Sequence, residues 1–170
     1  FLALMMVFIL LIGCVVEGVP AKLMLVPMAV MKRLLTLLDE DARIVTPYGA
    51  TESLPVTSIG SEEIFGESDL QARTLAGKGV CVGAPIPGVD LSIIPISDQP
   101  EKEIRELPRG ETGEVVVQSA MTTKSYFNRP CSTEDAKIPM EGGAVSHRMG
   151  DLGFLDEAGR LWFCGRKSQR

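Results

Sequence analysis

From residue 77 to residue 165 the chain is cut into short β-branched runs by glycine, proline and aspartate, and this rhythm is what most limits the folds open to it. GKGVCVGAPIPGVDLSIIPIS, GETGEVVVQSAM and GRLWFCGR are short runs of Val, Ile and aromatic residues, each closed by a turn-forming residue. Runs of that length and spacing build barrels or sandwiches, because β-branched side chains suit a pleated surface and Gly, Pro and Asp suit its turns. The expectation is a β-rich, distorted-barrel-like subdomain over 77–165. Within it GDLGFLDEAGRL reads as strand, turn and strand. Trp162 and Phe163 are adjacent on one strand, so their side chains leave by opposite faces; at most one meets a ligand and the other enters the core.

Upstream the period changes. MAVMKRLLTLLDED sets Val30, Met31, Leu34, Leu35, Leu37 and Leu38 on one helical stripe, with Lys32 and Arg33 opposite and Pro27 near the start, where proline is tolerated. ARIVTPYG then gives a short β-branched run closed by a Pro47-Tyr48-Gly49 turn. A helix followed by a strand is an α/β unit, so residues 1–76 are expected to be part of an α/β subdomain. Thr51 and Glu52 would then lie on the loop after a strand's C-terminal end, the edge at which open α/β sheets bind ligands. SEEIFGESDLQARTLAGKG is polar and reads as a connecting loop with a helical turn.

Both ends suggest a piece of a longer protein. The chain opens at Phe1 and closes on GRKSQR directly after the strand-like LWFCG. The uncharged opening, FLALMMVFILLIGCVV, is sixteen residues long, short of the roughly 18–20 that cross a bilayer. It also lacks the basic n-region and cleavage site of a signal peptide. Three readings stay open for it: a buried core segment, a membrane span completed upstream, and a mistranslated stretch.

With 170 residues and 45% hydrophobic content the chain can bury a core. A net charge of −5 without any Lys/Arg block argues against nucleic acid as a partner. Cys14, Cys81, Cys131 and Cys164 form no C-x-x-C pair, and His147 is the lone histidine, so reduced thiols in a cytoplasmic protein are expected and zinc is not.

On residue chemistry alone, Thr51 offers a hydroxyl and Glu52 a hard oxygen ligand, which suits a phosphate held with Mg²⁺. Asp151 can accept two hydrogen bonds from a vicinal diol such as a ribose, and Arg166 supplies a fork for phosphate or carboxylate. Plainer readings stand beside these. Glu52 alone is a solvated loop carboxylate, Asp151 a turn residue bonding its own backbone, Arg166 a surface cation, and His147 a core or loop histidine without a nucleophile partner.

The order of motifs decides between the readings. YGATE at 48–52, GETGEVVV and SYFNRPCST within 110–133, and HRMGDLGFLDEAGRLWFCGRK at 147–167 resemble the adenylate-forming superfamily of acyl-CoA synthetases, luciferases and peptide-synthetase adenylation domains. The resemblance runs from about residue 26 to residue 170. TPYGATESLPV and the HRMGD form look closest to olefin-pathway β-lactone synthetases and fatty acid–CoA ligases. It implies that a fatty or β-hydroxy fatty acid is activated by ATP to an acyl-adenylate, then captured by the thiol of CoA or closed by its own hydroxyl to a β-lactone. It also implies ATP/AMP and Mg²⁺ as cofactors. Tyr48, Gly49 and Ala50 would line the adenine, Thr51 would bond the α-phosphate, Glu52 would hold the metal, Asp151 would bind the ribose hydroxyls, and Arg166 would reach ribose and phosphate.

Departures accompany the resemblance. A Ser/Thr/Gly-rich phosphate loop and a small C-terminal domain with its lysine have no counterpart in these 170 residues, so the chain alone is expected to be inactive and 166–170 to begin a hinge. Two registers compete for the adenine-lining Gly-Ala-Pro loop: Gly18-Val19-Pro20 by letter, and VPMAVMKRLL at 26–35 by distance, the latter leaving Leu23, Met24 and Leu25 where small residues belong. Ser119 and Ser125 replace common glycines, and Ser168 replaces a hinge Asp or Lys. The rival to an enzyme is a non-catalytic remnant that keeps the fold; a membrane-anchored protein is a third option.

Overall fold

A computed structural model describes residues 25–66 and 68–169. The expectations for the apolar opening, for Gly18-Val19-Pro20 and for Leu23 and Met24 lie outside those residues. Helix α1 (Leu25–Leu35) is where the 3.6-residue stripe placed it. Its stripe stays largely uncovered among the described residues: nothing from 30 to 43 is buried, and Val30 and Leu37 are 45% and 76% exposed. No helix among the described residues is long and apolar enough to cross a membrane.

Strands β1 (Val45–Ala50) and β2 (Ser53–Gly60) form an antiparallel hairpin. The chain reverses at Thr51-Glu52, two residues later than the Pro-Tyr-Gly signal suggested, and Ala50 pairs with Ser53 across the turn. Proline does not break either strand. β1 is an edge strand, and β2 meets its other neighbour only at Thr57 and Ser58, so Pro55 lies beyond that ladder. The segment expected as a loop contains two short helices, α2 (Ser61–Gly66) and α3 (Ser68–Leu75). Leu70 of α3 enters the core beside Trp162, and the Arg73 guanidinium lies 4.2 Å over the Trp162 ring.

Then follow β3 (Val80–Pro85), β4 (Val89–Ile94), β5 (Gly113–Ser119), α4 (Pro130–Ala136), β6 (Lys137–Pro139), β7 (Val145–Leu155) and β8 (Leu161–Arg166). All pairings are antiparallel, in the order β1-β2-β3-β8-β7-β5-β4, with β6 added to β7. This is the expected α/β entry followed by a β-rich subdomain, with the sheet curled and open rather than closed into a barrel. The sheet runs without a break across residue 76, since β2 pairs with β3.

Curling brings strands distant in the sheet together. Val56 of β2 packs with Val89 and Ile93 of β4, Val115 and Val117 of β5, Met149 of β7 and Leu161 of β8. Val116 points the other way, onto Ile94 and Ile138, so β5 is covered on both faces. Trp162 is fully buried and Phe163 half-buried, as their alternation requires.

A buried ionic knot ties this core to the chain after β8. Arg148 donates to Glu114 through Nη2 at 2.6 Å and Nε at 3.2 Å, and to the Gln99 carbonyl at 2.8 Å. Lys167 Nζ adds contacts to Glu114 at 3.1 Å and to the Ser97 carbonyl at 2.7 Å. The Glu114 and Arg148 side chains are 2% and 3% exposed, a depth at which a charge is kept only by such pairing.

Candidate functional site

Two carboxylates organise the site. Asp151 is on β7 and not in a turn. The strand passes through it, and Gly150 just before it takes a left-handed φ of +66°, which a residue with a Cβ rarely adopts. Asp151 lies directly across the ladder from Arg166 of β8, whose Nη1 donates to its Oδ1 at 2.7 Å. Its Oδ2 accepts from the Tyr48 hydroxyl at 2.6 Å. Tyr48 is on the far edge strand of the sheet, and the curl that brings it over also sets its ring 6.2 Å from that of Phe163.

The protonation of this trio follows from burial. Asp151 is 4% exposed; burial lifts its carboxyl above the usual aspartate value, against the opposing pull of Tyr48 and Arg166. Burial and the neighbouring Asp151 charge push the Tyr48 phenol well above its ordinary value, so it is a neutral donor. Each Asp151 oxygen has accepted one bond and keeps further acceptor capacity. The carboxylate is positioned, costly to hold in its charged form, and still able to accept hydroxyl donors from a ligand.

Glu52 is built differently. A bulge at Gly49 turns the hairpin tip; a Cβ there would stand 2.6 Å from the Ser53 carbonyl oxygen and 2.8 Å from Leu54 Cδ1. The tip carries Thr51, exposed, and Glu52, half-buried. Thr51 Oγ1 donates to Glu52 Oε2 at 2.9 Å and the Tyr126 hydroxyl donates to Oε1 at 2.7 Å. The Thr123 amide donates to the Glu52 carbonyl at 2.8 Å. Burial alone would raise Glu52, but the hydroxyls of Tyr126 and Thr51 more than offset it and hold the carboxyl below its ordinary value. Tyr126 is pushed up to about 12 by burial and by the Glu52 contact.

Ser119 takes part in holding the tip. Ser53 Oγ lies 3.4 Å from both Ser119 Oγ and Thr122 Oγ1, and those two are 3.1 Å apart. This hydroxyl cluster joins the start of β2 to the end of β5.

Of the residues expected from sequence, the structure joins Tyr48, Asp151 and Arg166 in one hydrogen-bonded group. It places Thr51 and Glu52 together three and four residues beyond Tyr48 on the same hairpin, with Gly49 and Ala50 between. Tyr126 and Lys137 were not foreseen. Lys137 Nζ donates to Thr123 Oγ1 at 3.1 Å and lies 5.6 Å over the Tyr126 ring. SYFN, quoted as part of the resemblance, was the available signal for Tyr126. His147 is a core histidine, 3% exposed, with Nδ1 3.2 Å from the Ala136 carbonyl; burial and the adjacent Lys137 hold it below its usual value.

Among the described residues no three His, Cys, Asp or Glu side chains converge into a metal cage. Glu52 is a single carboxylate, held below its ordinary value, on the hairpin tip. That donor set fits Mg²⁺, which uses one or two carboxylates and takes its other oxygens from water and phosphates.

The sequence and the fold both have counterparts among known proteins. A family model described as AMP-binding enzyme matches residues 24–127. Over 152 residues, 85% of this chain, the sequence is 45% identical to an olefin β-lactone synthetase of Stenotrophomonas maltophilia (strain K279a), of which it covers 27%. A long-chain-fatty-acid–CoA ligase from Archaeoglobus fulgidus superposes with a TM-score of 0.55 at 27% identity, covering 80% of this chain and 25% of that one. O-succinylbenzoate Coenzyme A synthetase from Bacillus subtilis, in complex with AMP, gives 0.53 at 25% identity, covering 73% and 21%. The chain thus spans about a quarter of the length of the curated relative it matches.

Proposed function

This chain belongs to the AMP-binding enzyme family, and from that premise we propose that it is the nucleotide-facing part of an ATP-dependent, adenylate-forming ligase acting on a fatty or β-hydroxy fatty acid. The observation that carries the reading is the Tyr48–Asp151–Arg166 group. Three residues up to 118 positions apart, on β1, β7 and β8, meet around one buried carboxylate with acceptor capacity to spare.

In the proposed reaction an oxygen of the acid's carboxylate attacks the α-phosphorus of ATP. The bond to the β-phosphate breaks, and pyrophosphate leaves with the electron pair. The acyl-adenylate is then attacked at its carbonyl by the thiol of CoA or by the acid's own β-hydroxyl. That second step releases AMP and gives a thioester or a β-lactone, and the attacking group loses its proton. Asp151 accepts the two ribose hydroxyls while Tyr48 and Arg166 fix its orientation, and the Tyr48 ring, with Gly49 and Ala50, borders the adenine. Thr51 donates to the α-phosphate. Glu52 holds Mg²⁺, which when bound offsets charge on the leaving pyrophosphate. Arg166 is 40% exposed, which leaves its guanidinium able to reach phosphate as well as Asp151.

The similarity to an olefin β-lactone synthetase supports lactone closure, and the structural likeness to a fatty-acid–CoA ligase supports thioester formation. A cytoplasmic location is part of the same proposal, since ATP is its co-substrate. Residues 166–170 are proposed to begin a hinge: Lys167 is bound to Glu114 and Ser97, whereas Ser168 is exposed, so a pivot lies after Lys167.

ATP–pyrophosphate exchange by the full protein tests the reading. Exchange dependent on a long-chain or β-hydroxy acid is expected, with product analysis with and without CoA separating thioester from lactone. No exchange with any fatty or β-hydroxy acid would favour the remnant reading. The 170 residues alone are expected to give no exchange, and exchange by them would refute that part of the proposal.

A further inference from the structure

Tyr126, which donates to Glu52, also lines a recess of about 750 Å³ walled by α4 and β6, by the segment after β5 and by the loop after β4. Its charge is opposite to that of the protein. Lys102, Lys124, Arg129 and Lys137 line it against the carboxylates of Glu101 and Glu134, in a chain whose net charge is −5. Among the described residues none of these four cations is paired with a carboxylate.

Three of the four are exposed and alone would be ordinary surface charges. Lys137 is not. It is 5% exposed, its Nζ makes a hydrogen bond to Thr123 Oγ1, and the Tyr126 ring lies beneath it. A buried ammonium has three donors and is costly without a counter-charge. Burial pulls Lys137 below the usual lysine value, against the opposing charge of Glu52. Pro100, Pro130, Pro139 and the Tyr126 ring give the same recess an apolar wall. A buried ammonium, three exposed cations and an apolar flank in one recess are complementary to an anion carried on an apolar body.

We propose that this recess is a second ligand site, taking a phosphate ester whose phosphate meets Lys137 and whose organic part lies against the prolines and Tyr126. It is separate from the Asp151 site, because Tyr48, Asp151 and Arg166 do not line it. It does not depend on the nucleotide reading.

The test is isothermal titration of the full protein with phenyl phosphate while AMP is held saturating. Binding is expected to persist with AMP present, to be absent for benzyl alcohol, and to be weaker for inorganic phosphate. Lys137→Met should weaken it about tenfold, the scale of one lost hydrogen bond to a charged group, and Lys137→Arg should restore most of it. Asp151→Asn should leave phenyl phosphate binding unchanged, which separates failure of this site from failure of the nucleotide site. If Lys137→Met does not fold, the exposed pair Lys124→Ala/Arg129→Ala reads the same site and should weaken binding about threefold or more. Loss of phenyl phosphate binding on adding AMP would overturn the proposal. So would benzyl alcohol or inorganic phosphate binding as tightly as the ester, or unchanged affinity in the Lys137 and rim variants.

Discussion

Asp151 and Glu52 are both acids at a candidate nucleotide site, and their surroundings are opposite in kind. Asp151 sits in a continuous strand, across the ladder from Arg166, and burial raises it. Glu52 sits on a two-residue hairpin tip, where burial would raise its carboxyl and the hydroxyl bonds from Tyr126 and Thr51 lower it. The sheet supplies position at the cost of desolvation. The tip supplies an ionised group whose desolvation is offset by hydroxyl donors. A ribose, with directional hydroxyl donors, needs the first, and a metal–phosphate cluster with adaptable water ligands suits the second.

The largest effect should come from attacking what makes the Asp151 side rigid. Glu114→Gln leaves Arg148, on the strand that carries Asp151, and Lys167, just after the strand that carries Arg166, facing a neutral amide inside the core. Removing one partner of a buried pair costs about 3–5 kcal/mol, so the denaturation midpoint should drop sharply. If the midpoint barely moves, the knot is not what fixes the sheet side.

Asp151→Asn should separate binding from stability. It keeps the shape and removes the raised, buried charge, so stability should change by about 1 kcal/mol or less, whereas AMP affinity measured by titration should fall at least tenfold. Glu52→Gln should act in the reverse sense, leaving AMP affinity within about threefold and slowing pyrophosphate exchange. Equal losses of AMP affinity in the two variants would erase the proposed division of labour.

The difference between the two regions also governed what could be read from the sequence. Alternating β-branched runs located β3 to β5 and β7 to β8, because each strand's pattern is local. The proline at 47 and the one at 55 obscured the β1–β2 hairpin, since proline breaks strands except at edges and ladder ends, and edges are known only once the sheet is assembled. Helices α2 and α3 are too short to hold by propensity and exist through packing, as with Leu70 and Arg73 on Trp162. Asp151 and Arg166 were singled out by side-chain chemistry and by the order of motifs, and the structure pairs them across the β7–β8 ladder. Glu114 and Arg148 stood in quoted motifs unrecognised, because nothing in a string separates a buried, paired charge from a solvated one. Tyr126 was missed for a similar reason: its partner Glu52 is 74 positions away.

Tyr126→Phe sharpens the Glu52 side. Removing the 2.7 Å bond from its hydroxyl takes away the stronger of the two hydroxyl effects that lower Glu52. The carboxyl should titrate higher, closer to an ordinary glutamate, with a stability loss of about 1 kcal/mol. Carbon-13 titration of the Glu52 carboxyl reads this directly, and an unshifted curve would mean that Thr51 alone sets its charge.

The smallest expected effect is also the most direct comparison of the two acids, because it turns on sign. Glu52 has a folded value below its unfolded one, so the folded state binds fewer protons. Its stabilising contribution is present above the ordinary glutamate value and is lost as pH falls through the folded one. Asp151 has a folded value above its unfolded one, so the folded state binds more protons. Its contribution is therefore most favourable below the ordinary aspartate value and declines as pH rises through the folded one. Urea midpoints over roughly pH 3 to 6, the range of carboxyl titration, should give wild-type-minus-variant curves of opposite slope for Glu52→Gln and Asp151→Asn. The Glu52 slope should be the shallower, since a partly exposed group is screened by solvent. Slopes of the same sign would mean that the bonds from Tyr48 and Arg166 outweigh burial at Asp151, and that the two carboxylates are held in the same way after all.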